Sequence, residues 1–125
     1  MKYIFDENIA PQVAKGLIAF GKDVGHITDH MPSGSKDVDV LKYVGERGYA
    51  LITRDGRIYK NPAEKQAIHK FGVGVFELIG KDMSLWDRVK QVVRGWENIE
   101  DKANSTEPPF VFKVSRAGRK LERLL

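Results

Sequence analysis

Apolar and polar positions fall into blocks along this chain, and the blocks change period in a regular order. Lys2 to Phe5 is a short apolar run stopped by Asp6-Glu7-Asn8, the pattern of a buried strand. Ile9, Val13 and Leu17 then recur at helical spacing, with Pro11 tolerated in the first turn and Gly21 closing the end. Lys22 to Thr28 reads as a second strand, and the Pro-, Gly- and Ser-rich stretch Asp29 to Lys36 as a loop. Asp37 is placed to cap a second helix, whose apolar positions are Val38, Val40, Leu41 and Val44 and whose end is Gly48.

The same alternation continues. Tyr49 to Thr53 predicts a third strand and Arg54 to Asn61 a polar loop. Pro62 opens a helix that runs to Phe71, and Val73 to Ile79 follows as a fourth strand. Ser84 and Asp87 form an S-x-x-D start signal for the longest helix, with Leu85, Val89, Val92, Trp96 and Ile99 as its buried stripe. After a loop over Asn104 to Pro109, Phe110 to Val114 is the last strand. Strand and helix therefore alternate throughout. The predicted class is α/β, one domain with a central, mostly parallel sheet of about five strands and helices on both faces.

Composition narrows the function. A chain of 125 residues suits one domain. Cysteine is absent, which removes disulfides, thiolate zinc sites and thiol nucleophiles together. No apolar run approaches the ~20 residues of a membrane span. Asp6 interrupts the N-terminal apolar run too early for a signal peptide, so a cytoplasmic protein without a membrane partner is expected. Lys and Arg number 21 against 17 Asp and Glu, a net +4. Residues 113–125 hold five bases (Lys113, Arg116, Arg119, Lys120, Arg123) against Glu122, which accounts for the whole excess. This basic C-terminal segment suits either an acidic partner such as nucleic acid or a solvated tail.

Ligands of open parallel sheets sit beyond the carboxyl ends of the strands. Asp6 follows the first strand, Asp55 the third, and Asp37 opens a helix with Asp39 two positions on. Asp6, Asp37 and Asp55 would converge on one edge, where hard cations such as Mg²⁺ or Mn²⁺ offset the repulsion between carboxylates. Each acid also has a plainer role: Asp6, Glu7 or Asn8 as a helix cap, Asp37 likewise, Asp39 as a first-turn acid, and Asp55-Gly56 as a turn. Arg54, Arg57 and Lys60 surround Asp55 and suit a phosphate backbone, with Tyr59 as a stacking surface, or else form a solvated loop. His26, His30 and His69 suggest no metal triad.

Asp6-Glu7-Asn8-Ile9 with Pro11, Ser35-Lys36-Asp37-Val38-Asp39 and Leu51-Ile52-Thr53-Arg54-Asp55 together resemble the PIN-like nucleases. Arg57 to Glu64, Met83-Ser84-Leu85-Trp86 and Pro108 to Val114 are similar to the VapC-type toxin branch, over almost the whole chain. The resemblance implies a single PIN-like domain and a Mg²⁺- or Mn²⁺-dependent endoribonuclease. It also implies a cognate antitoxin and, in many relatives, a homodimer. By position it implies Asp6, Asp37 and Asp55 as catalytic and metal-holding acids, with Asn8 and Asp39 in support. Two departures stand out: the broader family usually has a Glu early in a helix where this chain has Asp37, and no fourth acid follows the next strand except Asp82.

Two other classes fit less of the chain. A non-catalytic RNA- or protein-binding module would use the carboxylates only as caps. A phospho-acceptor domain would pair Asp6-Glu7 with Asp55 and Lys113, and would leave Asp37 without a role.

Overall fold

In the computed structural model, which describes residues 1–125, the elements run β1 (Tyr3–Phe5), α1 (Pro11–Ala19), β2 (Val24–His26), a 3-10 turn (Ile27–Asp29), α2 (Asp37–Glu46) and β3 (Ala50–Thr53). They continue with α3 (Pro62–Phe71), β4 (Gly74–Leu78), α4 (Leu85–Ser105), β5 (Phe110–Val114) and β6 (Leu121–Arg123). One six-stranded sheet takes the order β2-β1-β3-β4-β5-β6, parallel except for β6. The chain leaves β1 toward β2 and returns to β3 on the other side, so strand order reverses between β1 and β3. That is where ligand crevices form in open α/β sheets.

Alternation within each strand sends side chains to two separate cores. One face carries Phe5, Ile52, Phe76 and Phe112 against α1 and α4, with Val13, Leu17, Val92, Trp96 and Ile99 beneath them. The opposite face carries Ile4, Leu51, Val75 and Val111 against α2 and α3, through Leu41, Val44 and Ile68. Because both faces are covered, β1, β3 and β4 are buried along their whole length. Gly74 is required by this packing, since a Cβ there would stand 2.4 Å from the Phe110 ring.

Several expectations change in detail. The 22–28 strand shortens to β2 and tightens into the 3-10 turn, where His26 uses both ring nitrogens, on the Ile9 carbonyl and on Thr28 Oγ1. Asp37 is not a cap: Lys36 holds the N-cap position of α2, and Asp37 is the first helical residue. Asp6, Glu7 and Asn8 do not cap α1 either, whose N-cap is Ala10 without a side-chain bond. Ser84 does cap α4, accepting the Asp87 N–H at 3.0 Å. Leu85 leaves the buried stripe and is 45% exposed.

The basic C-terminus is a built element rather than a tail. β6 pairs antiparallel with β5, in the register Phe112↔Arg123, Lys113↔Glu122 and Val114↔Leu121. A short, charged strand of this kind protects the sheet edge from pairing with other chains. The turn before it depends on Gly118, which has φ +82 and lies so close to α4 that a Cβ would meet the Gln91 carbonyl at 2.1 Å. No helix is long and apolar enough to cross a membrane.

Candidate metal centre

The carboxyl ends of β1 and β3 lie side by side, with Phe5 opposite Ile52 and the Asp6 N–H donating to the Ile52 carbonyl at 2.8 Å. Asp6 is therefore carried by the sheet itself and is 92% buried. Its Oδ2 accepts the Thr53 hydroxyl proton at 2.8 Å and its Oδ1 accepts the Glu7 N–H at 2.9 Å. The same Thr53 oxygen accepts from Asn8 Nδ2 at 3.2 Å and from the Asp55 N–H at 3.1 Å. One donor and two acceptor sites are all that a hydroxyl has, and each is used. Thr53 thus ties Asp6, Asn8 and Asp55 into one rigid corner.

Asp55 turns back on its own loop, with Oδ1 accepting the Arg57 N–H at 3.0 Å and Arg57 Nε at 3.9 Å. α2 and α3 bring in two further acids. Carboxylate oxygens of Asp37, Asp55 and Glu64 all lie within 4.8 Å of one another. Asp37 is exposed, Asp55 half-buried, and Glu64 buried, with its Oε2 lacking any hydrogen-bond partner. An open hollow of about 300 Å³, lined by Asp6, Glu7, Asn8, Ser35 and Asp37, lies beside this group.

The electrostatics follow from crowding. Burial, then the hydrogen bond and charge of Asp37, then the charge of Asp55 push the Glu64 carboxyl up to about 7. Asp6 is raised by burial, against the lowering effect of its Thr53 and Glu7 hydrogen bonds, with the charges of Asp37 and Asp55 adding to the rise. Glu77, buried next to Thr53 in the β3–β4 register, is raised mainly by burial.

A divalent cation fits this donor set. The ligands are all hard carboxylate oxygens, and oxygens around one ion at 2.0–2.6 Å stand up to roughly 4–5 Å apart. The orphan oxygen of Glu64 is a buried acceptor in want of a partner, the kind of atom that native proteins rarely leave unsatisfied.

Of the acids expected from sequence, Asp37 and Asp55 join the three-carboxylate group, and Asp6 stands at the adjoining wall of the hollow. Asp39 is exposed and outside the group; two residues along a helix turn a side chain about 200° away. Asn8 lies in the corner, bonded also to Arg54, whose N–H donates to Asn8 Oδ1 and whose Nε donates to the Asn8 carbonyl. Arg57 and Lys60 are exposed beside it. Asp82 is exposed, at φ 52, and supplies no fourth acid.

Glu64 brings a fourth acid to this edge instead, and its sequence context points elsewhere. Its spacing, Asn61-Pro62-Ala63-Glu64, is that of a capping box, which would turn the glutamate back on the Asn61 N–H. That N–H is already given to the Arg57 carbonyl at 3.0 Å, and Asn61 Oδ1 caps α3 alone. Glu64 is left free for the cluster. In the sequence pattern Thr53 is simply a strand end, and an acid three residues into a helix gives no sign of convergence.

A central parallel sheet with acids gathered at its carboxyl edge, in an arrangement that could hold a cation, defines the α/β class to which this chain belongs. A model of the PIN-like domain family matches residues 1–80, the stretch that holds Asp6, Asp37, Asp55 and Glu64, and the chain belongs to that family. No curated protein and no solved structure matches the chain. PIN-like domains are typically nucleases.

Proposed function

We propose that this protein is a Mg²⁺- or Mn²⁺-dependent endoribonuclease that hydrolyses RNA phosphodiester bonds as the toxin-like member of a toxin–antitoxin pair. The observation that carries this reading is the meeting of Asp37, Asp55 and Glu64 within 4.8 Å beside buried Asp6. Asp37, Asp55 and Glu64 would hold the cation, with Asp6 as the fourth acid of the edge. A cation held there would supply Lewis-acid charge to a phosphodiester and acidify a water.

The remaining work falls to the chain's own side chains. Thr53 holds Asp6 in one orientation through its hydroxyl proton, and Arg57 does the same for Asp55 through its backbone N–H. Fixing both carboxylates before substrate arrives lowers the cost of reorganisation during the reaction. Glu64 holds a proton near neutral pH when no cation is present and releases it when one binds. Arg54, Arg57 and Lys60 would align the RNA backbone as point and fork charges.

The partner assignments belong to the same proposal. The carboxylate edge is open, so an antitoxin covering it would block substrate. Exposed Phe20, Trp86 and Val93 offer apolar surface to that antitoxin or to a second copy of the chain. The test is RNA cleavage with Mg²⁺, Mn²⁺ or EDTA, for the wild type and Asp55→Asn together. Metal-dependent cleavage lost in Asp55→Asn is the expected result. Cleavage that survives both EDTA and the substitution would defeat the proposal.

A further inference from the structure

Arg88 is a cation buried in α4 without an anion. It is 94% buried, yet it enters no ion pair; its guanidinium donates to Gln91 Oε1 and to the Gly80 carbonyl, each at 2.9 Å. Gln91 is in turn fixed by donating to the Ile79 and Ser115 carbonyls. The side chain is therefore locked in place with its charge uncompensated, an arrangement that costs free energy unless a negative group arrives from outside.

Arg88 lines a cleft of about 210 Å³ whose walls also include Asn8, Arg54, Ser84 and Leu85 and contain no acid. Arg54 is pinned there by its bonds to Asn8, although its charge and that of Arg88 repel. The capped start of the 21-residue helix α4 opens onto the same space and adds the positive end of its dipole. Asn8 also lines the acidic hollow, so it is the wall shared by the arginine cleft and the metal centre.

We propose that Arg88 and Arg54 form a phosphate-binding cleft that grips a backbone phosphodiester of the RNA next to the one at the carboxylates. The inference rests on the ribonuclease reading and adds Arg88 to the basic residues expected from sequence. Asn8 sets the distance between the two subsites, and the bidentate forks of the arginines match phosphate oxygens better than lysines would.

The test is binding of a short fluorescein-labelled single-stranded RNA in EDTA, measured by anisotropy across about 50–200 mM salt. The proteins compared are the wild type, Arg88→Gln, Arg88→Lys and Leu85→Glu, each checked for folding by circular dichroism. Arg88→Gln should bind about tenfold more weakly and flatten the slope of log affinity against log salt by about 0.7, one lost contact to single-stranded nucleic acid. Arg88→Lys should recover that slope. Leu85→Glu, at an exposed position, puts a carboxylate into the cleft and should weaken binding even if Arg88→Gln fails to fold. Wild-type affinity and slope in folded Arg88→Gln, or wild-type affinity in Leu85→Glu, would overturn the proposal. So would inorganic phosphate that stabilises the wild type but not Arg88→Gln while RNA binding is unchanged, because the cleft would then take a free anion. A flattened slope in a protein that cleaves no RNA with Mg²⁺ would retain the cleft and refute the nuclease. Cleavage with an unchanged slope would do the reverse.

Discussion

Thr53 Oγ1 lies 2.8 Å from Asp6 Oδ2 and gives that carboxylate its only side-chain hydrogen bond. Residues 47 positions apart are joined there by the alignment of two parallel strands. Thr53→Val keeps the shape and removes the hydroxyl, leaving Asp6 and the Asp55 N–H without it. A loss of about 1–3 kcal/mol is expected in urea unfolding. The Asp6 carboxyl should rise further, since the lost bond favours its ionised form; carboxyl NMR titration reads this directly. Thr53→Ser should restore both.

Glu64 makes the metal-free protein sensitive to pH. Its carboxyl ionises near the ordinary 4.5 when the chain is unfolded and at about 7 when folded. Between those values the native state binds the extra proton, so stability should fall as pH rises through the window, by up to about 3 kcal/mol. Below the unfolded value the penalty is absent, and above pH 7 it is complete. Thermal unfolding in EDTA from pH 4.5 to 8 should show the decline, and Glu64→Gln should flatten it.

Cation binding should reverse that decline. With Mg²⁺ or Mn²⁺ at about 100 times its dissociation constant, stability should rise by about 2.7 kcal/mol. Asp37→Asn should abolish most of the gain because Asp37 belongs to the carboxylate group, whereas Asp39→Asn, one helical half-turn away, should keep it. Equal effects from the two substitutions in a melting titration would contradict this assignment.

Gly118→Ala should destabilise by more than about 2 kcal/mol, combining a strained positive φ with a clash at the Gln91 carbonyl. The damage should reach Arg88 through Gln91, so weaker RNA binding should accompany the lower denaturation midpoint. A folded Gly118→Ala of wild-type stability would show that the turn can move away from α4.

Hydrophobic period is a local property, and it determined much of this molecule by itself. The strands around Ile4, Leu51, Phe76 and Val111 and the four helices were legible because each must bury one face or both, whatever its partners. The carboxyl-edge positions of Asp6 and Asp55 followed from the same alternation. β6 was not legible, because Leu121-Glu122-Arg123 has one apolar residue and owes its extended form to pairing with β5. Asp37 and Asp39 share one helical turn in the sequence pattern, and helix rotation separates them.

Tertiary packing alone decided the charge environment. Glu64 looks like an ordinary first-turn acid until α3 packs beside α2 and sets it against Asp37, and Arg88 looks like a surface base until α4 buries it over Gly80. Repulsion and desolvation depend on distances between residues far apart in the chain. Such distances leave no trace in periodicity, and here they turn separate helix-end acids into one carboxylate group that could hold a cation.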